Sequence, residues 1–228
     1  SKSNEVKSKS NEYIFSVFET FTNNSVSPHI FIIFETKESF GCSNFRINHE
    51  ISISGNSIKI KLDGIDKSGV CLTAFGPAKF TEELPITTGM YALEIQSGFI
   101  SDKYEVKVSP QFIEILDSNV VSKITHPLKT KVTRFPRGIW KADCFYNADY
   151  RYIPSDVGEY CNKFYDKLKT IATPYLETES GRIPKTQFFI YLQDESVLKT
   201  ISSQFKREGF YIEIYRPFPD TKIETEYQ

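Results

Sequence analysis

From Tyr13 to about Leu116, hydrophobic and polar residues alternate along the chain. EYIFSVFET, HIFIIFET, EISIS, SIKIKLD, MYALEIQ and KYEVKVS are short, rich in β-branched or aromatic residues, and separated by Gly, Asn, Ser, Asp or Pro. In the fourth run, Ile58, Ile60 and Leu62 alternate with Lys59 and Lys61, which turns one strand face toward a core and the other toward water. About seven strands of this kind predict an antiparallel sandwich. Its last hairpin has Tyr91, Leu93 and Ile95 on one face, SGFISD as the turn, and Tyr104, Val106 and Val108 on the returning strand.

After Leu116 the rhythm becomes helical. Val157, Cys161, Phe164, Leu168 and Ile171 recur at helix spacing, Asp156 and Glu159 have capping-box spacing, and Pro174 ends the run. TQFFIYLQ reads as a buried strand. Asp194 caps a second helix with the stripe Val197, Leu198, Ile201 and Phe205, closed by Lys206, Arg207 and Gly209. Strands near GIWKADCFY, YLETE and FYIEIY complete a βαββαβ order, the pattern of a ferredoxin-like α+β domain. The expected fold class is therefore two-domain: a polar tether over residues 1–11, an immunoglobulin-like β-sandwich over 12–116, and an α+β domain over 117–228. The boundary falls near DSNVVSKITHP, which mixes turn formers with a short apolar run.

Gly89-Met90-Tyr91-Ala92-Leu93 resembles the start of strand F in immunoglobulin-like and fibronectin-type sandwiches, with Leu93 where antibody domains place a cysteine. CLTAFGPAKF, followed by that strand and by D-x-Y-x-V-x-V, resembles the Ig-like domains of secreted or lipid-anchored bacterial envelope proteins. The resemblance covers the first half of the chain. It implies a Tyr91 hydroxyl bonded back to nearby backbone, and a domain that presents something rather than performing chemistry.

Composition narrows the partners. The chain is 39% hydrophobic and 25% charged, which is globular, and its 19 Phe and 13 Tyr favour strands. A net charge of -1 gives no general footprint for nucleic acid or an anionic membrane. No window reaches the roughly 18 apolar residues of a membrane span, so membrane contact is expected only through an anchor outside this chain. The polar start SKSNEVKSKSNE reads either as the linker of an exported protein whose leader has been removed, or as a trimmed chain end.

The cysteines fall at 42, 71, 144 and 161, never in C-x-x-C spacing, which removes most zinc-ribbon and thioredoxin-like readings. A Cys42–Cys71 bridge would staple the first domain and contribute about 3 to 4 kcal/mol. Cys144 and Cys161 are expected as buried thiols in the second, with a bridge between them as the alternative. This even count supports an extracytoplasmic location, periplasm or cell surface.

No catalytic template is complete. His49-Glu50 is not followed by the rest of H-E-x-x-H, and His29 and His126 read as surface or turn residues. G-x-S-x-G, P-loop and G-x-G-x-x-G motifs are absent, which leaves a catalytic triad only by assembly in space. Asp63, Asp66 and Asp102 lie in presumed loops at irregular spacing, and Asp143, Asp149 and Asp156 read as turn or cap residues. No catalytic residue, cofactor or metal is assigned.

The best binding segment is WKADCFYNADYRY, with Trp140, Tyr146, Asn147, Tyr150, Arg151 and Tyr152 as candidate ligand-binding residues beside Phe145 and Asp149. Aromatic faces ringed by polar groups recognise sugars or peptides. Aromatics of a strand and turn burying themselves in a phenylalanine-rich core would give the same composition. A second candidate is an exposed sheet edge, which TRFPRG either protects or leaves open to a partner strand. The function expected is that of a non-catalytic envelope protein binding a protein or glycan. The alternatives are a hydrolase working in the C-terminal domain or between domains, and a proteinase inhibitor presenting SGFISD.

Overall fold

The period-two runs become long strands that share one sheet. The computed structural model describes residues 12–22, 25, 27–69, 71, 74–122, 124–136, 138–146, 154–174, 188–191, 196–205, 207 and 209–217. Its strands are β1 (Tyr13–Thr20), β2 (His29–Phe40), β3 (Arg46–Ser54), β4 (Ser57–Asp66), β5 (Gly76–Leu84), β6 (Gly89–Ser97), β7 (Ile100–Val108), β8 (Phe112–Asn119), β9 (Thr125–Pro127) and β10 (Lys131–Thr133). They lie in the order β10-β8-β7-β6-β4-β3-β5-β2-β1-β9.

This arrangement overturns the expected immunoglobulin-like sandwich with an appended ferredoxin-like domain. A sandwich needs two antiparallel sheets face to face. Here β4 runs parallel to β6 from Ser57↔Ala92 to Leu62↔Ser97, β1 runs parallel to β9, and a single mixed sheet curls on itself. Tyr91 still bonds back locally, its hydroxyl donating to the Thr87 carbonyl at 3.1 Å and accepting from the Thr87 amide at 3.0 Å.

Chain geometry explains the curl. Nine strand-to-strand steps of ~4.8 Å would put the edges of a flat sheet ~43 Å apart, whereas the few residues from Pro127 to Lys131 span at most ~14 Å. The edge strands β9 and β10 therefore have to approach. Between them, the Leu128 amide donates to the Phe15 carbonyl of β1 at 2.7 Å, and the Thr130 carbonyl accepts from the Ile115 amide of β8 at 2.7 Å. One face of the sheet turns inward and forms one core, with Phe15, Phe34 and Tyr104 among its largest fully buried side chains. Arg134 sits just beyond β10; its guanidinium pairs with the buried Glu19 carboxylate at 2.6 Å and donates to the Ser109 carbonyl at 2.8 Å. TRFPRG thus contributes its first arginine to the inside of this unit, and Arg137 lies outside the described residues.

The described residues up to Glu19, with His29–Arg134, make up this first compact unit; Thr20–Pro28 and the chain from Phe135 onward make up the second. The second unit contains β11 (Trp140–Tyr146), α1 (Val157–Ile171), β12 (Thr173–Pro174), β13 (Phe188–Tyr191), α2 (Ser196–Gln204) and β14 (Phe210–Tyr215). Its sheet runs β12-β13-β11-β14, antiparallel at each pairing. YLETE and Asp194 lie outside the described residues. The stripe of α1 buries Cys161, Phe164 and Leu168 against Trp140, Ala142, Ile190 and Ile214 of the sheet.

Two local expectations change here. Asp156 occupies the N-cap of α1 without a side-chain cap bond, because its carboxylate is drawn to Arg207 at 2.7 and 3.3 Å. Cys144 and Cys161 are not separate thiols but a disulfide, since β11 and the α1 stripe bring their Cα atoms to 5.5 Å. Cys42 and Cys71 are also bonded, which joins the loop leaving β2 to the loop entering its partner β5.

Candidate functional site

Alternation along β11 and β14 sorts their side chains onto two faces. Trp140, Ala142 and Cys144, with Ile212 and Ile214, pack with the helices. The opposite face carries three cross-strand pairs: Lys141↔Tyr215, Asp143↔Glu213 and Phe145↔Tyr211. At one end Phe145 and Tyr211 stack with ring centroids 5.6 Å apart and planes 11° apart. Both remain open to solvent, at 43% and 46% exposure.

The other end of this face is closed and polar. Lys141 is 3% exposed; its ammonium group donates to the Tyr215 hydroxyl at 2.7 Å, pairs with Asp143 at 2.9 Å, and lies 5.2 Å from the Phe21 ring centre. The Tyr215 hydroxyl donates in turn to Asp143 at 3.3 Å. Burial, then the neighbouring carboxylates of Asp143 and Glu213, push the Tyr215 phenol far above its ordinary range and keep it protonated. A buried lysine with a carboxylate and a hydroxyl on it is satisfied, and it fixes the spacing of the two strands.

The residues expected to bind ligand are scattered by the fold. Trp140 is 1% exposed, with the Arg216 guanidinium 4.8 Å from its ring, so its face belongs to the core. Tyr146 packs edge-on to Phe210, and its ring lies against Gly209. Beside it Arg207 pairs with Asp156 and lies over the Phe210 and Tyr160 rings at 4.9 and 5.6 Å, a clamp tying the start of α1 to the start of β14. Asn147, Tyr150, Arg151 and Tyr152, with Asp149, lie outside the described residues. Tyr211 was missed, although its signal was present: FYIEIY alternates, so Tyr211, Glu213 and Tyr215 share a face.

The other ionisable residues singled out by the sequence, where described, are held in local contacts. Asp102 is not in a loop but on β7, fully buried. Burial pushes its carboxyl up, yet bonds from the Ser122 amide and hydroxyl and from the Thr125 hydroxyl and amide outweigh it and hold the carboxyl below its ordinary range. Asp63 and Asp66 lie on β4. His29 bonds Glu83 at 2.6 Å, His49 stacks on Phe80 at 3.7 Å and contacts Glu82, and His126 lies in β9 opposite Ile14 rather than in a linker. On the outer face of the large sheet, a depression of about 340 Å³ is lined by Glu50, Ile51, Ser52, Lys59, Ile60, Lys61, Glu94 and Gln96. Its charges are mutually paired, Lys59 with Glu94 at 3.8 Å and Lys61 with Glu50 at 3.6 Å.

Among the described residues no group of three or more His, Cys, Asp or Glu is placed to hold a metal ion, and no helix is long and apolar enough to cross a membrane. No protein-family model, curated protein or solved structure matches the chain.

Proposed function

We propose that the chain is a non-catalytic binding protein of an extracytoplasmic compartment, engaging a protein or glycan through the open face of its smaller sheet. The observation that carries this reading is the Phe145–Tyr211 stack, two aromatic rings left in water at one end of a strand pair whose other face is buried. Exposed aromatic pairs are costly to a fold and are what recognition surfaces use. The disulfide from Cys144, next to Phe145, ties β11 to α1 and holds the platform in place before any ligand arrives.

Two disulfides are compatible with life outside the reducing cytosol. In this reading the larger unit is a spacer, and any membrane attachment lies in an anchor outside this chain. The net charge of -1 argues against nucleic acid as the partner. A hydrolase has less support. The described carboxylates most shielded from water, Glu19 and Asp102, and the half-buried Asp143 are already engaged by hydrogen-bond donors or a cation, and Tyr215 is held as a phenol. An inhibitor presenting SGFISD has less support too, because Ser97 and Ile100 pair across a two-residue turn and leave no extended stretch for a protease cleft.

The test is binding of the intact chain to glycan and peptide arrays, compared with a Phe145→Ala/Tyr211→Ala variant. Both side chains are exposed, so the variant is expected to fold as the parent does and to lose the array signal. Retained binding by the variant would falsify the assignment of this face.

A further inference from the structure

Glu213 stands directly across from Asp143 in the β11–β14 register. Like charges in opposed positions destabilise a sheet, so folding alone favours a cation or a neutral residue at one of them. Lys141 on the same face does not compensate both. Lys141 is buried and engaged with Asp143 and Tyr215, whereas Glu213 is exposed and has no cation bonded to it among the described residues. Among the described residues the sheet therefore carries one carboxylate without a bonded cation, on the same face as two exposed rings.

Spacing makes this useful. Tyr211 and Glu213 are two residues apart on β14, about 7 Å along the strand, and Phe145 stacks on Tyr211 from β11. A long cationic side chain can meet the carboxylate with its head and lie its stem along the rings. Ammonium and guanidinium groups are recognised by this combination of aromatic faces and a counter-charge.

We propose that this face binds a lysine or arginine side chain of a protein partner, held between Glu213 and the Phe145–Tyr211 pair. The proposal rests on the reading of this face as a recognition surface and adds the chemistry of the ligand. A neutral glycan can donate hydroxyl hydrogen bonds to the carboxylate but brings no charge, whereas a basic side chain also relieves its repulsion with Asp143. Among the described strands β14 ends the order of its sheet, so a basic residue can be delivered on an extended segment running beside it. The chain as a whole, at -1, offers no general attraction to polycations, which makes the recognition local.

Calorimetric titration of the full chain with hexa-arginine, hexalysine and hexaglutamate peptides, and with neutral oligosaccharides, tests this. The parent is expected to bind the cationic peptides and not hexaglutamate. Glu213→Gln and Tyr211→Ala should each weaken binding by about 5- to 30-fold, added salt should weaken it further, and Glu50→Gln on the large sheet should leave it unchanged. Near-ultraviolet circular dichroism confirms that these exposed-site variants keep the parent fold. Absence of cationic-peptide binding, or equal affinity for Glu213→Gln, overturns the proposal. An oligosaccharide bound by the parent and by Glu213→Gln, but not by Tyr211→Ala, overturns the cation assignment while leaving the recognition face in place. Binding that survives both Tyr211→Ala and Phe145→Ala overturns the face itself.

Discussion

Thr125 gives both its backbone N–H, at 3.3 Å, and its hydroxyl, at 2.9 Å, to the buried carboxylate of Asp102. The Val121 amide and the Ser122 amide and hydroxyl complete five donors, about what two carboxylate oxygens can accept. The Tyr104 hydroxyl then donates to the Thr125 carbonyl at 2.7 Å. This knot fixes the residues that lead into β9, and so the segment that joins the two edges of the curled sheet. Asp102→Asn turns one acceptor into a donor facing other donors, and should destabilise the larger unit by about 3 kcal/mol. Thr125→Val, which keeps the amide and carbonyl, should cost about 1 kcal/mol. Urea denaturation measures both; an Asp102→Asn protein as stable as the parent would show that the knot does not hold the closure.

The same carboxylate sets an acid limit. Because its folded-state pKa lies below the ordinary 3.8, the unfolded chain takes up the proton first as pH falls. Its stabilisation is complete above the ordinary aspartate range and disappears only as pH drops through the lower folded value. Between neutrality and about pH 5 the parent and Asp102→Asn should differ by a constant amount. Below about pH 4 the difference should shrink. A gap that widened with acid would mean that Asp102 is not the group lost.

Tyrosines impose the opposite limit. Burial raises Tyr104, Tyr160 and Tyr165, and Tyr215 is raised by burial and by Asp143. A raised phenol stabilises the fold fully below its ordinary value, and that contribution is lost as pH rises through the folded one. Spectrophotometric titration should therefore show part of the tyrosinate signal appearing only with alkaline unfolding, well above pH ~10. Ionisation of all thirteen tyrosines in one step, with the fold intact, would contradict these environments.

What the sequence displayed was the facing of residues, more than their neighbours. Ile58, Ile60 and Leu62 alternate with lysines and do point inward, and the Tyr91 and Tyr104 strands do form a hairpin. Alternation fixes which side of a sheet is buried, but the same pattern serves two packed sheets or one sheet rolled on itself. The parallel pairing of β4 with β6 leaves no local mark, because it depends on where β5 goes. The closure is equally silent: it rests on backbone bonds at Leu128 and Thr130, which any residue could make. In the smaller unit the α1 stripe was legible, while the partners of Cys161 and Asp156 came from β11 and from Arg207, 51 residues away. The candidate segment held Phe145, but its stacking partner Tyr211 lay in a strand noted only for closing the domain.

Gly209 and Tyr146 offer a separable test of strain and packing. Gly209 has φ +81°, and a Cβ placed there would come within 2.6 Å of the Tyr146 ring. Gly209→Ala should therefore destabilise the smaller unit by about 2 to 3 kcal/mol, combining left-handed backbone cost and collision. In a Tyr146→Ala background the collision disappears and only the backbone cost, about 1 kcal/mol, should remain. Equal costs in both backgrounds would mean that the ring moves aside freely.

The two disulfides should respond differently to reductant because one is more accessible. Cys71 is exposed, whereas Cys161 is 8% exposed within the α1 core. Thiolate attack needs access to a sulfur, so mild reduction of the native protein should open Cys42–Cys71 first and leave Cys144–Cys161 until the smaller unit unfolds. Alkylation and peptide mapping read this order directly. Replacing Cys144 and Cys161 together by alanine should cost the smaller unit about 3 kcal/mol, as expected for a short loop, of which the sequence separation here is 17. The Phe145–Tyr211 platform should suffer beyond that loss, because β11 is then held to α1 by packing alone. A Cys144→Ala/Cys161→Ala protein that stays folded at low temperature should bind more weakly there than Phe145–Tyr211 geometry predicts, and unchanged affinity would show that the brace has no part in recognition.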